Sequence, residues 1–298
     1  MATKAVVVLD GGTGTSLADR GFKDIDAVVD LHSSFYESGS DVVVAATYQA
    51  SVEGYVRRFG ITETEAEDLV AEGVKLANQA RAQAEQKLGR KCWVAASVGP
   101  YGAILGDRSE YHGKYADKMS SQELVTWHTQ RIAAILKGGP DLLAIETIPV
   151  VKEAEAILES LKNFQGVRAW FSFQCKDGAH TGHGELFSDA VRTVLQSDDV
   201  IAVGMNCTHP DDVTPLLQSI SSLDIRVPLL VKPNRAGLYV NPTCDTTLKE
   251  MTSQWMEHGA RMIGGCCHYG PKDIAELRHF LETKSDVELP GLKRILSR

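Results

Sequence analysis

Eight short runs of β-branched or apolar residues recur along the 298-residue chain, separated by polar or helix-like stretches. They are AVVVLD (5–10), DVVVAATY (41–48), CWVAASVG (92–99), DLLAIETI (141–148), RAWFSFQC (168–175), VIAVGMNC (200–207), VPLLVKPN (227–234) and RMIGGCC (261–267). Several are apolar throughout, which is the pattern of parallel strands covered on both faces. Between them, 62–88 is rich in Ala, Glu, Gln and Lys, and Thr62 followed by Glu65 forms a capping box at its start. The stretch 121–139 has its cap signal in Ser120 and Ser121 and stops at Gly138-Gly139. Segments 151–164, 210–223, 247–259 and 271–283 complete the alternation, with Pro210 and Pro271 at first helical positions. Eight strands alternating with helices within roughly 250–300 residues is the arithmetic of an α/β chain closed into a (β/α)8 TIM-type barrel. A doubly wound open sheet is the alternative.

No Pro/Ser-rich linker or low-complexity tract divides the chain. A single domain over 1–298 is therefore expected, with a core of about 5–285 and a short C-terminal tail. A net charge of −8 argues against nucleic-acid or anionic-membrane partners, which want a basic patch. No apolar run approaches the length of a membrane span, and the start, MATKAVVVLDGG, reads as a first strand rather than a signal peptide. The expected compartment is the cytoplasm, where the six cysteines stay reduced. No long C-terminal extension able to build a dimer arm is visible, so a monomer is expected.

The distinctive residues stand at the ends of the runs: Asp10-Gly11-Gly12, Thr47-Tyr48-Gln49, Gly99-Pro100-Tyr101-Gly102, Glu146-Thr147, Asn206-Cys207, Lys232-Pro233-Asn234 and Cys266-Cys267. In a barrel all of these gather at the C-terminal mouth, where chemistry is done. Cys207 ends the sixth run and the vicinal pair ends the eighth, two strands apart. Three thiolates plus an open position suit a catalytic zinc, with Zn–S of about 2.3 Å. Neighbouring residues of a regular strand point to opposite faces. Cys266 and Cys267 can share a metal only if the backbone leaves the pleat, which Gly264-Gly265 would permit. A redox pair is disfavoured by the geometry of a vicinal bridge. His209 and His268 are read as loop neighbours rather than ligands, and Cys92 and Cys175 as packing residues. Cys244 stays unassigned. DGGTGTSL (10–17) lacks the dinucleotide fingerprint, because position 17 is Leu, so its glycines are read as allowing close approach to a ligand. Asp10 and Glu146 either tie loops together or jointly hold the ammonium of an amino acid. Lys232 is a Schiff-base candidate, but a solvated turn is the preferred reading.

These motifs resemble the homocysteine S-methyltransferase family, which also includes betaine–homocysteine methyltransferase and the homocysteine module of cobalamin-dependent methionine synthase. The matching stretches are DGGTGT (10–15), ATYQAS (46–51), SVGPYGA (97–103), SEYHGKY (109–115), ETIP (146–149), GMNC (204–207) and GGCC (264–267). SVGPYGA and SEYHGKY look more like the branch using S-methylmethionine or S-adenosylmethionine than the betaine branch. Arg108 stands where that pattern expects Gly, and His268 where Arg or Gly is usual. The resemblance implies a homocysteine-binding barrel with zinc on Cys207, Cys266 and Cys267, and methyl transfer from a sulfonium donor to homocysteine, giving methionine. It implies homocysteine binding by Asp10, Gly11, Gly12, Thr47, Glu146 and Asn206, with Asp10 and Glu146 on the ammonium. From composition and loop position, Tyr48, Tyr101 and Tyr111 are candidates to face the sulfonium. The rivals are a Schiff-base lyase acting through Lys232 and a non-catalytic zinc or thiol sensor on an inherited barrel.

Overall fold

In the computed structural model, residues 3–21, 24–235 and 247–292 are described. Eight parallel strands make the sheet: β1 (Val7–Val8), β2 (Val42–Ala45), β3 (Trp93–Val98), β4 (Leu142–Ile148), β5 (Ala169–Phe173), β6 (Val200–Asn206), β7 (Leu229–Lys232) and β8 (Ala260–Ile263). From β2 to β8 each strand pairs with the next in sequence, and β1 pairs with β8. The ring closes between β1 and β2 through a Leu9–Val42 bridge and the Asp41 N–H donating to the Val8 carbonyl at 2.7 Å. The expected (β/α)8 barrel is therefore what the chain forms, and the open sheet is excluded by this closure.

Two apolar clusters divide the strand residues by parity, as period-2 alternation requires. Val8, Val43, Val94, Leu143, Phe171, Val203, Val231 and Ile263 pack outward in the cluster shared with the helices. Val7, Val42, Trp93, Leu142, Trp170, Ala202, Leu230 and Met262 form a separate interior cluster. Leu292 joins that cluster and is fully buried, and a short parallel pair of Lys4–Ala5 with Val287–Glu288 lies outside the barrel.

Ten helices surround the described strands: α1 (Thr13–Asp19), α2 (Asp26–Glu37), α3 (Val52–Phe59), α4 (Glu63–Leu88), α5 (Ser121–Leu136), α6 (Val151–Leu161), α7 (Phe187–Val194), α8 (Pro210–Ser219), α9 (Leu248–Glu257) and α10 (Pro271–Glu282). The Thr62/Glu65 and Ser120/Glu123 capping boxes both form, each satisfying orphan N–H groups at a helix start. Helices α1, α2, α3 and α7 have no counterpart in the sequence reading. Their short, β-branched or polar sequences carry little helical propensity, and tertiary packing holds them instead. Three 3-10 turns, at Tyr101–Ile104, Ser109–Tyr111 and Lys114–Asp117, build the long connection after β3. No described helix is long and apolar enough to cross a membrane.

Candidate active site

At the C-terminal end of the strands lies a cavity of about 540 Å³. The ends of seven strands contribute to it; β5 does not. Cys207, Cys266 and Cys267 lie on its wall, with their three Sγ atoms all within 4.8 Å of one another. The Cys207 and Cys266 sulfurs are 2.7 Å apart, and all three cysteines are free thiols.

The backbone at the cysteines explains this convergence. Strand β8 ends at Ile263, so Gly264 to Cys267 have already left the pleat. The hinge expected at Gly264-Gly265 takes a different form, because neither glycine has positive φ. Their role is close approach: a Cβ on Gly264 would stand 2.6 Å from the Asp10 carbonyl oxygen, and one on Gly265 2.4 Å from the Tyr269 side chain. The left-handed residues are Cys207 itself, at φ 51°, and His268, at φ 66°.

A bracket that the sequence reading missed holds all three cysteines. The Cys207 N–H donates to the Lys232 carbonyl (3.1 Å), the Cys266 N–H to the Pro233 carbonyl (2.8 Å) and the Cys267 N–H to Asn234 Oδ1 (3.0 Å). Lys232-Pro233-Asn234 is therefore not a solvated turn. Lys232 and Asn234 are buried, and the segment sits between the two cysteine-bearing strands. That position followed from strand order alone, since β7 must lie between β6 and β8.

Asp10 is fully buried and is not among the residues lining the cavity; Lys232 lines it in its place. Lys232 Nζ donates to Asp10 Oδ1 at 2.6 Å, while Asp10 Oδ2 accepts the Val44 N–H at 2.7 Å. Burial alone would lower the lysine pKa, but the charges of Asp10, Glu146 and Cys266 outweigh it and hold the ammonium above its ordinary range. Glu146 does line the cavity and accepts a hydrogen bond from the Ser97 hydroxyl. Burial pushes its pKa up to about 7 against the opposing pull of Lys232.

Glu146 is aimed by a bulge. Pairing between β4 and β5 shifts register between Ile145 and Ile148, and Thr147 takes φ 61°, strained for a β-branched residue. Asn206 over-determines that conformation: Oδ1 accepts the Thr147 N–H (2.7 Å) and Nδ2 donates to Thr147 Oγ1 (2.8 Å). Asn206 and Thr47 are fully buried and are not cavity-lining; Thr47 donates to the Ser97 carbonyl at 2.7 Å. Gly11 and Gly12 do line it, and Gly12 passes so close to Cys266 that a Cβ would lie 2.5 Å from that carbonyl oxygen.

Of the three tyrosines, Tyr48 and Tyr111 line the cavity. Tyr101 does not; its ring packs against Tyr115 and Trp127, with centroids 5.7 and 5.1 Å away. Burial, then the nearby Cys207, raises the pKa of both Tyr48 and Tyr111, so both hydroxyls stay protonated beside the sulfurs. Arg131, buried on α5, donates to the carbonyls of Gly99 (2.6 Å), Thr47 (2.9 Å) and Tyr48 (2.6 Å), locking the loops after β2 and β3 together. Cys92 and Cys175 are buried as expected, His268 is exposed, and Cys244 lies outside the described residues.

A family model described as homocysteine S-methyltransferase matches residues 7–281. The chain belongs to the homocysteine S-methyltransferase family. Betaine-homocysteine S-methyltransferase of Drosophila melanogaster is 36% identical over 94% of this chain and 95% of its own. Homocysteine S-methyltransferase of Escherichia coli (strain K12) is 36% identical over 92% and 94%. The solved metallated form of the homocysteine methyltransferase MmuM from Escherichia coli has a TM-score of 0.83 at 34% identity, covering 93% of this chain and 96% of that one. In this member of the methyltransferase family, both departures from the expected motifs fall on left-handed backbone positions. Arg108 (φ 67°) and His268 (φ 66°) both adopt the left-handed conformation that favours glycine, so the Gly expected at 108 and the Gly that is one of the two usual residues at 268 each have a backbone reason.

Proposed function

We propose that this methyltransferase moves the methyl group of a sulfonium, S-methylmethionine or S-adenosylmethionine, onto the thiol of homocysteine, giving methionine, with zinc as its metal. The observation that carries the reading is the convergence of three free thiols from two strands on one cavity wall that also holds Glu146. The donor set fits zinc: three soft sulfurs from a pre-bracketed backbone suit a borderline-soft ion that needs no particular d-electron geometry. Cys207, Cys266 and Cys267 would hold it, and bound there it would keep the acceptor thiol as a nucleophilic thiolate near neutral pH.

The chain's own groups do the rest. Glu146, when ionised, receives the acceptor's ammonium, and Gly11 and Gly12 let the acceptor approach the wall beside Cys266. Tyr48 and Tyr111 present ring faces to the sulfonium, whose positive charge disappears as the methyl leaves. No proton need move in the transfer itself, so positioning two reactants in line accounts for most of the acceleration. Asp10, Thr47 and Asn206 act from behind the wall, by orienting Lys232, the loop after β2 and Glu146-Thr147. The protein works as one homocysteine-binding barrel in the cytoplasm, as a monomer, with small molecules as its only partners.

The test is zinc per chain, followed by methionine formation from homocysteine with S-methylmethionine, S-adenosylmethionine and betaine in parallel. Betaine belongs in the set because it appears in the name of the Drosophila relative. Cys207→Ser is expected to remove both zinc and turnover, since a hydroxyl is a harder and far less acidic ligand. Full activity in a zinc-free Cys207→Ser protein would overturn the proposal. The Schiff-base alternative has little support, because Lys232 is committed to an ion pair as a protonated amine.

A further inference from the structure

The mouth contains a buried cation whose hydrogen bonds are not spent. Lys232 is 3% exposed, yet its ammonium makes one hydrogen bond among the described residues, to Asp10. An ammonium carries three donors, and burying a charge with donors unmatched is costly unless something arrives to match them. Lys232 also lines the cavity, so whatever enters meets this group. Asp10 behind it is already engaged on both oxygens, by Lys232 and by the Val44 N–H.

An incoming amino acid therefore faces two opposite charges on the cavity lining: Glu146 and Lys232. Its ammonium is attracted to the first and repelled by the second. Its carboxylate is the one group that satisfies the donors Lys232 has left. We infer that Lys232 receives the carboxylate of the acceptor amino acid, so that Lys232 and Glu146 together read both ends of the zwitterion.

The acceptor, rather than the methyl donor, is the reactant this geometry selects. Its sulfur must reach the three cysteines, and Lys232 ends the strand whose last residue and next two bracket those cysteines. In homocysteine only three carbons separate sulfur from carboxylate, so the two contacts fall on neighbouring parts of one wall. The inference rests on the reading of homocysteine as acceptor and adds to it which residue reads the carboxylate.

The test is equilibrium binding by calorimetry to the zinc-loaded protein, using homocysteine, 3-aminopropanethiol (no carboxylate) and 4-mercaptobutanoate (no amino group). Wild type is expected to bind homocysteine about 10- to 100-fold more tightly than 3-aminopropanethiol, the range of one charge-assisted contact. Lys232→Met should erase that preference without weakening 3-aminopropanethiol, whose ammonium loses a repelling neighbour. Because the single variant strands a buried carboxylate, Asp10→Asn combined with Lys232→Met repeats the measurement with a neutral pair. Equal losses for both thiols in these variants would overturn the inference and leave Lys232 as a mere counter-ion to Asp10. Wild type that binds homocysteine no better than 3-aminopropanethiol would also overturn it, with the acceptor reading intact. Wild type that neither binds nor methylates homocysteine would sink the acceptor reading itself, before any variant is made.

Discussion

The floor and the mouth of this barrel are built from the same inward-facing positions of the same strands, yet they do opposite things. At the floor those positions hold Trp93, Leu142, Trp170, Ala202 and Leu230, closed over by Leu292. Two or four residues further along, on the same parity, stand Ser97, Glu146, Ser172, Asn206 and Lys232, all buried. Apolar burial at the floor contributes stability in proportion to area removed from water. The buried carboxylates at the mouth cost desolvation that the attraction of Lys232 only partly offsets, since burial raises the pKa of both Asp10 and Glu146. The strained Thr147 and the left-handed Cys207 add to that cost. One half of the barrel interior thus stabilises the fold while the other half spends that stability on preorganising a site.

The largest expected effect tests the floor. Trp170→Ala removes a fully buried indole from the barrel interior and should destabilise the protein by about 3–5 kcal/mol. Urea denaturation gives the loss. A change of less than about 1 kcal/mol would mean the floor is not where the stability resides.

The pH dependence separates the mouth from the helical layer. Glu146 has its pKa raised from 4.5 to about 7, so its folded form holds a proton that the unfolded chain releases. Its contribution is fully present below 4.5 and is lost as pH rises through about 7, by up to about 3 kcal/mol. His32, buried on α2 with neither ring nitrogen hydrogen-bonded among the described residues, is lowered from 6.5 to about 4 by burial. Its contribution has the opposite sign: it is present above 6.5 and is lost as pH falls through about 4, again by up to about 3 kcal/mol. In metal-free protein, Glu146→Gln should gain on wild type between about pH 5 and about pH 8, and His32→Leu should gain on it between about pH 6.5 and about pH 4. Parallel stability–pH curves for a variant and wild type would remove that group from the account.

The fold was legible because its signals are local. Each strand run is a contiguous stretch, and each capping box spans four residues, as at Thr62/Glu65. The vicinal cysteines and Cys207 were legible because barrel order converts sequence position into neighbourhood. What stayed hidden depends on long-range pairing. Nothing near Lys232 in sequence announces that its partner is Asp10, 222 residues away. The left-handed Thr147 is held by Asn206, 59 residues on, and Tyr101 is off the cavity lining with its ring packed against Tyr115 and Trp127. The misreading of Lys232-Pro233-Asn234 as a solvated turn is instructive. Its composition is that of a loop, and only the sulfur-bearing strands on either side turn it into a bracket.

That bracket gives a smaller test on the mouth side. Asn234→Ala deletes the acceptor of the Cys267 N–H while leaving all three thiols in place. Removal of such supporting contacts typically costs 10- to 100-fold in metal affinity. Competition with a chromophoric chelator should show a zinc affinity reduced by about that factor, with little change in the urea midpoint. An unaltered affinity would mean that the sulfurs, not the backbone behind them, hold the geometry.

The smallest effect distinguishes two sets of aromatic residues within the mouth itself. Tyr48 and Tyr111 line the cavity, whereas Tyr101 belongs to the packing of the loop after β3. A cation over an aromatic face contributes about 1–2 kcal/mol when desolvated, so Tyr111→Leu should raise the KM for a sulfonium donor by about 10-fold. The homocysteine KM should hardly move, because that reactant carries its positive charge to Glu146 instead. Tyr101→Leu should leave both KM values within about twofold and show its cost in thermal stability. If Tyr101→Leu weakened the donor as much as Tyr111→Leu did, the line between cavity wall and supporting layer would be drawn in the wrong place. The donor would then have to reach beyond the described cavity, towards Trp127.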